Sequence, residues 1–138
     1  MNKPQLAHAS FAIYQDAEPP EFWTKYFGVS PSCAGVKGQK RITPSGRISS
    51  FPWRQGIWSI TSKDAVTSDE LTPHLRYLVN LLELPRPDLR ELIERMNGQM
   101  RFFCYWENGS GDRIPDVPED IGTMMEGLGG TVEVDEYR

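Results

Sequence analysis

Apolar and polar positions alternate from Ala7 to Tyr14, with Ala7, Ala9, Phe11 and Ile13 on one side and His8, Ser10, Ala12 and Tyr14 on the other. A period of two predicts a half-buried strand. After Pro19 and Pro20, the residues Phe22, Trp23, Tyr26 and Phe27 take the spacing of a short amphipathic helix that Gly28 stops. From Gly28 to Gly56 the periodicity fades among prolines and glycines. Pro44-Ser45-Gly46 suits a turn between two short strands, Lys40–Thr43 and Arg47–Ser50. A connection this long in a compact domain is usually functional or mobile. Strand character returns at Ile57–Thr61, where Trp58 and Ile60 share a face.

The period then lengthens. Leu71, Leu75, Leu78, Val79 and Leu82 form one apolar stripe of a helix. Thr67 with Glu70 suits a capping box for it, and Thr72 before Pro73 is a competing start. Pro85 and Pro87 break this helix, and Asp88 is placed to cap a second, in which Leu89, Leu92, Ile93 and Met96 repeat the spacing and Gly98 ends it. Met100–Trp106 is dense in aromatics and reads as a strand buried on both faces. Asn108–Asp112 is a turn. Asp116 with Glu119 is a second capping-box candidate, before Ile121, Met124, Met125 and Leu128 and the Gly129-Gly130 stop. Thr131–Tyr137 alternates again. The expected fold is one α+β domain over residues 1–138, a two-layer sandwich with a sheet of four or more strands and about four helices on one face.

The chain has 138 residues and 15.7 kDa, one domain's worth of core. No apolar run approaches the roughly 18 residues of a membrane span. Met1–Tyr14 offers only Lys3 ahead of no sustained apolar stretch, a poor signal peptide. Cys33 and Cys104 lie far apart without a CxxC, which points to neither a disulfide framework nor a zinc site. A reducing, cytoplasmic setting is the expectation.

Phe27-Gly28-Val29-Ser30-Pro31-Ser32, Gly38, Gly56-Ile57-Trp58-Ser59-Ile60, Leu81-Leu82 and Val134-Asp135-Glu136-Tyr137 occur in an order that resembles the bacterial family catalogued as domain of unknown function 4279. Phe27 stands where such members usually carry Leu, which keeps an apolar contact. The resemblance implies a single-domain bacterial α+β protein and brings no catalytic residues. Small bacterial proteins of this kind are sometimes suspected of being toxin-immunity proteins.

Catalytic patterns are sparse. His8 and His74 have no local partner motif, Cys33 sits in a loop, Cys104 reads as a small core residue, and no metal-ligand spacing occurs. The expectation is no enzyme, no metal and no cofactor. A hydrolase built on Asp16, Glu18 and Glu21 has only their clustering behind it, and those acids equally suit a helix N-terminus.

Charge is more informative. Between Glu21 and Asp64 there is no acidic residue, while Lys25, Lys37, Lys40, Arg41, Arg47, Arg54 and Lys63 give that stretch +7. The remainder holds 8 basic against 19 acidic residues, so opposite fields lie on different parts of one small body. In one reading the Lys37–Trp58 loop binds an anion, such as phosphates or an acidic protein, through Lys37, Lys40, Arg41, Arg47 and Arg54, with Phe51, Trp53 and Trp58 as stacking surfaces. In another, the acidic C-terminal third, with Asp116, Glu119, Asp120, Glu133, Asp135 and Glu136, covers the cationic cleft of a nuclease toxin. A plainer reading folds the basic loop onto the acidic elements so that the fields cancel. Most aromatics read as core, with some of the first helix's rings free for a partner or homodimer contact, and Trp53 as the one most exposed.

The leading expectation is a non-enzymatic immunity or inhibitor protein that occludes a partner protein's active surface. The alternative is a small-molecule or nucleic-acid binding module using the basic loop. Overall acidity makes nucleic acid the weaker of its ligands, and no membrane partner is expected.

Overall fold

The structure is a computed structural model that describes residues 6–41, 46–48 and 51–138. Its elements run β1 (Ala7–Tyr14), α1 (Glu21–Phe27), β2 (Cys33–Gly35), β3 (Ile57–Thr61), α2 (Leu71–Leu82), α3 (Leu89–Arg95), β4 (Gln99–Glu107), α4 (Glu119–Gly127) and β5 (Thr131–Tyr137). They build one α+β arrangement around a five-stranded sheet of order β2-β3-β1-β4-β5. The strands pair antiparallel except β4 with β5, which are parallel and joined through α4.

Register explains the two layers. Phe11 lies between Ile60 and Phe102, and Ile13 between Trp58 and Met100, so the apolar sides of β1, β3 and β4 coincide. All four helices turn their buried residues into the same cluster, among them Trp23, Phe27, Leu71, Leu75, Leu78, Leu82, Leu89, Ile93, Ile121 and Met125. Leu71, Leu75, Leu78 and Leu82 of α2 are fully buried, which stabilises the fold by roughly 1.5–3 kcal/mol apiece. The helices therefore cover one face, and the other stays open.

Several expectations are corrected here. β4 is not buried on both faces: Met100, Phe102, Cys104 and Trp106 are buried, while Arg101, Phe103 and Tyr105 lie half-buried on the open face. No helix covers that side. Trp58 packs under α1, stacked 5.2 Å from Phe27 with its indole N–H donated to Thr24 Oγ1 at 3.0 Å. The α2 capping box gives way to a cap from far along the chain. Asp116 Oδ1 accepts the Leu71 N–H at 2.8 Å and Oδ2 the Thr72 N–H at 2.9 Å. Asp116 thus caps α2, not α4. Asp88 does not cap α3 through its side chain, and it accepts the Tyr26 hydroxyl at 2.6 Å. β2 appears where the sequence pattern showed only loop. The paired strands expected around Pro44-Ser45-Gly46 lie largely outside the described residues.

The aromatic helix α1 is latched to the α2–α3 connection by Arg86. Its guanidinium donates to Leu82 O at 2.9 Å and Tyr26 O at 2.8 Å, and it lies over the Tyr26 and Phe27 rings. Arg86 thereby covers part of the α1 ring surface, at Tyr26 and Phe27.

Candidate functional site

At the Tyr14 end of the open face, Trp53 and Gly56 pack back against β2 and the end of β1. Two close approaches hold them. Gly35 lies beneath Trp53, and a Cβ there would come within 2.2 Å of the indole nitrogen. Gly56 lies against Gln15, where a Cβ would meet the carbonyl oxygen at 2.0 Å. Only glycine fits either place. Backbone hydrogen bonds complete the anchorage, with Gly38 N to Trp53 O at 2.8 Å, Trp53 N to Gln39 O at 3.0 Å and Gln15 N to Gly56 O at 3.2 Å. The Gly56 N–H also reaches Asp16 Oδ1 at 2.7 Å. Trp53 is accordingly half-buried, less open than its sequence setting suggested. The Arg41 guanidinium lies 4.6 Å over its ring.

Lys37, Lys40, Arg41, Arg47 and Arg54 are all exposed. None of them forms an ion pair among the described residues. Two of them, Arg41 and Arg54, wall a cavity of about 280 Å³ together with Tyr14, Phe51, Trp53 and Ile57. Tyr14 and Gln55 also line a neighbouring basin over Arg101 and Glu133. Arg101 donates to Glu133 at 3.0 Å and to the Tyr14 hydroxyl at 3.0 Å, and its buried Nε has no hydrogen-bond partner among the described residues.

The acidic set is placed differently. Asp116 is the cap of α2. Burial pushes against its charge, but the N–H groups of Thr72 and Leu71 prevail and hold the carboxyl below its usual value. Asp120 takes Arg76 in a two-pronged pair at 2.6 and 2.8 Å, which lowers its pKa. Glu133 pairs with Arg101, Asp135 accepts the Tyr137 hydroxyl at 2.6 Å, and Glu136 accepts from Arg138 at 2.8 Å. Glu119 is exposed in the first turn of α4. Five of the six acids are therefore bound to this chain's own donors, and none of those donors belongs to the basic segment.

A larger groove of about 1160 Å³ runs between α2, α3 and α4 over Val79, Leu84, Met124 and Leu128. Its guanidinia are engaged within the fold: Arg76 with Asp120, Arg86 with Tyr26 O, and Arg90 with Glu94 at 2.9 Å and Gly127 O at 3.0 Å. Volume alone favours this groove. Unengaged charge favours the smaller cavity.

The structure also shows a pairing that spacing did not reveal. Ser62 Oγ lies 2.6 Å from His74 Nδ1, and His74 Nε2 lies 3.0 Å from Ser68 O. Because the carbonyl can only accept, Nε2 carries the proton and Nδ1 accepts from the Ser62 hydroxyl. Ser62 also accepts the Ala9 N–H at 3.0 Å. Both residues are fully buried, so the pair joins β1, the end of β3 and α2 where no substrate can reach it. Of the two thiols, burial raises Cys104 to about 12, and Cys33 is exposed. Among the described residues no cluster of His, Cys, Asp and Glu could hold a metal ion, and no helix is long and apolar enough to cross a membrane.

The family model described as Domain of unknown function (DUF4279) matches residues 5–138. The chain belongs to this family. No curated protein and no solved structure matches it. In this DUF4279 chain the basic segment holds five exposed cations that form no ion pair among the described residues.

Proposed function

We propose that this DUF4279 protein is a non-enzymatic binding protein of the immunity or inhibitor type, which covers an acidic surface on a partner protein with the segment from Lys37 to Arg54. The observation that carries the reading is the contrast in engagement. Five exposed cations of the segment lack an ion pair among the described residues, while five of the six candidate acids are held by the chain's own donors. A set of unpaired like charges on an anchored scaffold steers and orients a partner of opposite sign. Anchorage at Gly35 and Gly56 limits the ordering cost of binding. Occlusion of this kind asks for a shaped, complementary surface and no catalytic group.

The test is capture of the partner by the full chain at low and high salt, beside the variant R41E/R47E/R54E. A single protein partner, lost in the variant and weakened by salt, supports the reading. Equal capture by the variant contradicts it. A second reading, in which the segment binds a small anion, is favoured by one observation, the cavity walled jointly by aromatic rings and guanidinia.

A further inference from the structure

We propose that the cavity at the basic segment is a mononucleotide site, with the base against the Tyr14 and Trp53 side and the phosphate on Arg41 and Arg54. The inference rests on the reading of this segment as an anion-binding surface and adds a second, smaller ligand to it.

The walls specify the ligand. Tyr14 and Phe51 supply ring surface, and Trp53, held between Gly35 and Arg41, adds its ring edge, which together suit a planar ring system. Arg41 and Arg54 supply two guanidinia with no carboxylate partner among the described residues, which suits a compact anion taken in a fork of N–H donors. A purely apolar ligand leaves both guanidinia without a role, and inorganic phosphate leaves the rings without one. A molecule that carries both chemistries uses the whole wall. At about 280 Å³ the cavity lies at the small end of ligand sites, the scale of a single base with its phosphate.

The scaffold is made for a fixed wall. Gly35 admits the indole of Trp53 to a depth that any Cβ would forbid, and the Arg41 guanidinium lies over the same ring at 4.6 Å. Ring contact holds the guanidinium in place and leaves its N–H edge for an oxyanion. A long strand of nucleic acid is disfavoured, because beyond the Arg101–Glu133 pair the open face continues into Asp135 and Glu107 on β5 and β4. Those carboxylates repel a polyanion that runs past the cavity.

Intrinsic fluorescence reads the site directly. Trp23, Trp58 and Trp106 are at most 1% exposed, and Trp53 is the one tryptophan that solvent reaches. The full chain is titrated with AMP, GMP, CMP and UMP, and adenosine and inorganic phosphate serve as half-ligands. The expected result is saturable quenching by at least one mononucleotide, absent in Trp53→Phe, with adenosine and phosphate each at least tenfold weaker. Arg54→Gln, a surface change that leaves the core intact, weakens binding at least tenfold. Gly35→Ala, checked for folding by circular dichroism, abolishes it. Lys37→Glu with Arg47→Glu lies outside the walls and retains nucleotide binding while it weakens capture of the acidic partner, which separates failure of this site from failure of the partner surface. No saturable signal from any of the four at millimolar concentration overturns the proposal. Unchanged affinity in both Arg54→Gln and Gly35→Ala overturns it too, as does binding of oligonucleotides without mononucleotides.

Discussion

Asp116 shows how a single side chain changes role between sequence and structure. Three residues before Glu119, it has the spacing of a local cap for α4, yet its two oxygens accept the Leu71 and Thr72 N–H groups at the start of α2. No short-range pattern reports a cap 45 residues away, so this was not legible in the sequence. Asp116→Ala leaves those donors without their acceptor and is expected to cost about 1 kcal/mol of stability at pH 7. The native carboxyl titrates below its usual value, so its contribution is present above the unfolded pKa near 4 and fades as pH falls through the folded one. Urea denaturation of both proteins from pH 7 to about pH 3 should show the gap between them shrink. A gap constant over that range would rule out the ionised cap. The thiols give a second check at this scale. Cys33 is exposed and Cys104 is buried with its pKa raised to about 12, so a thiol reagent should label one cysteine in the native protein and both after unfolding. Rapid labelling of both without denaturant would contradict the burial of β4.

At the scale of elements, periodicity carried most of the fold. The period-two runs of β1, β3 and β5 and the leucine stripe of α2 follow from local spacing, since each element buries one side. What stayed illegible depends on contacts between distant segments. β2 is three residues long, and its partner strand begins more than twenty residues later. The depth of Trp53 depends on a glycine eighteen positions before it. In the sequence, Gly35 and Gly56 read as turn residues, and only tertiary packing shows that each admits another part of the chain. The junction of β1, β3 and α2 through Ser62 and His74 is of the same kind. Ser62→Ala strands the Ala9 N–H and the His74 Nδ1 in the core, where each unsatisfied group costs about 1–3 kcal/mol. Chemical denaturation should show a loss of about 2 kcal/mol or more. Because the pair is structural, the folded variant should capture the partner as well as the native chain does. Loss of capture without loss of stability would give the dyad a functional role instead.

Over the whole molecule, the net charge of −4 hides a division. The acidic C-terminal third is knitted into the fold by Arg76, Arg101 and Arg138, and Asp116 by backbone donors. The five cations of the basic segment are exposed, and the described residues at its two ends are anchored at Gly35 and Gly56. The segregation itself was plain in the sequence. Which side of it the chain neutralises internally was not, because ion pairing depends on the packing of α2 against α4 and of β4 against β5. Exposed pairs such as Arg76 with Asp120 add little stability, so their main effect is to remove local field. The cationic segment keeps a positive field that is local, in a chain whose net charge stays negative. An acidic or anionic partner follows from it, and association should weaken as salt screens charges over distances of about 10 Å.

The measurement that tests this most directly is affinity capture from the native host at low and high salt, with the native chain and R41E/R47E/R54E side by side. One dominant protein partner is expected, held by the native chain, depleted at high salt and absent from the variant, with both chains equally folded. A partner held equally by the two chains, or one lost only when Glu133, Asp135 and Glu136 are reversed in sign, would place the working surface elsewhere and contradict it.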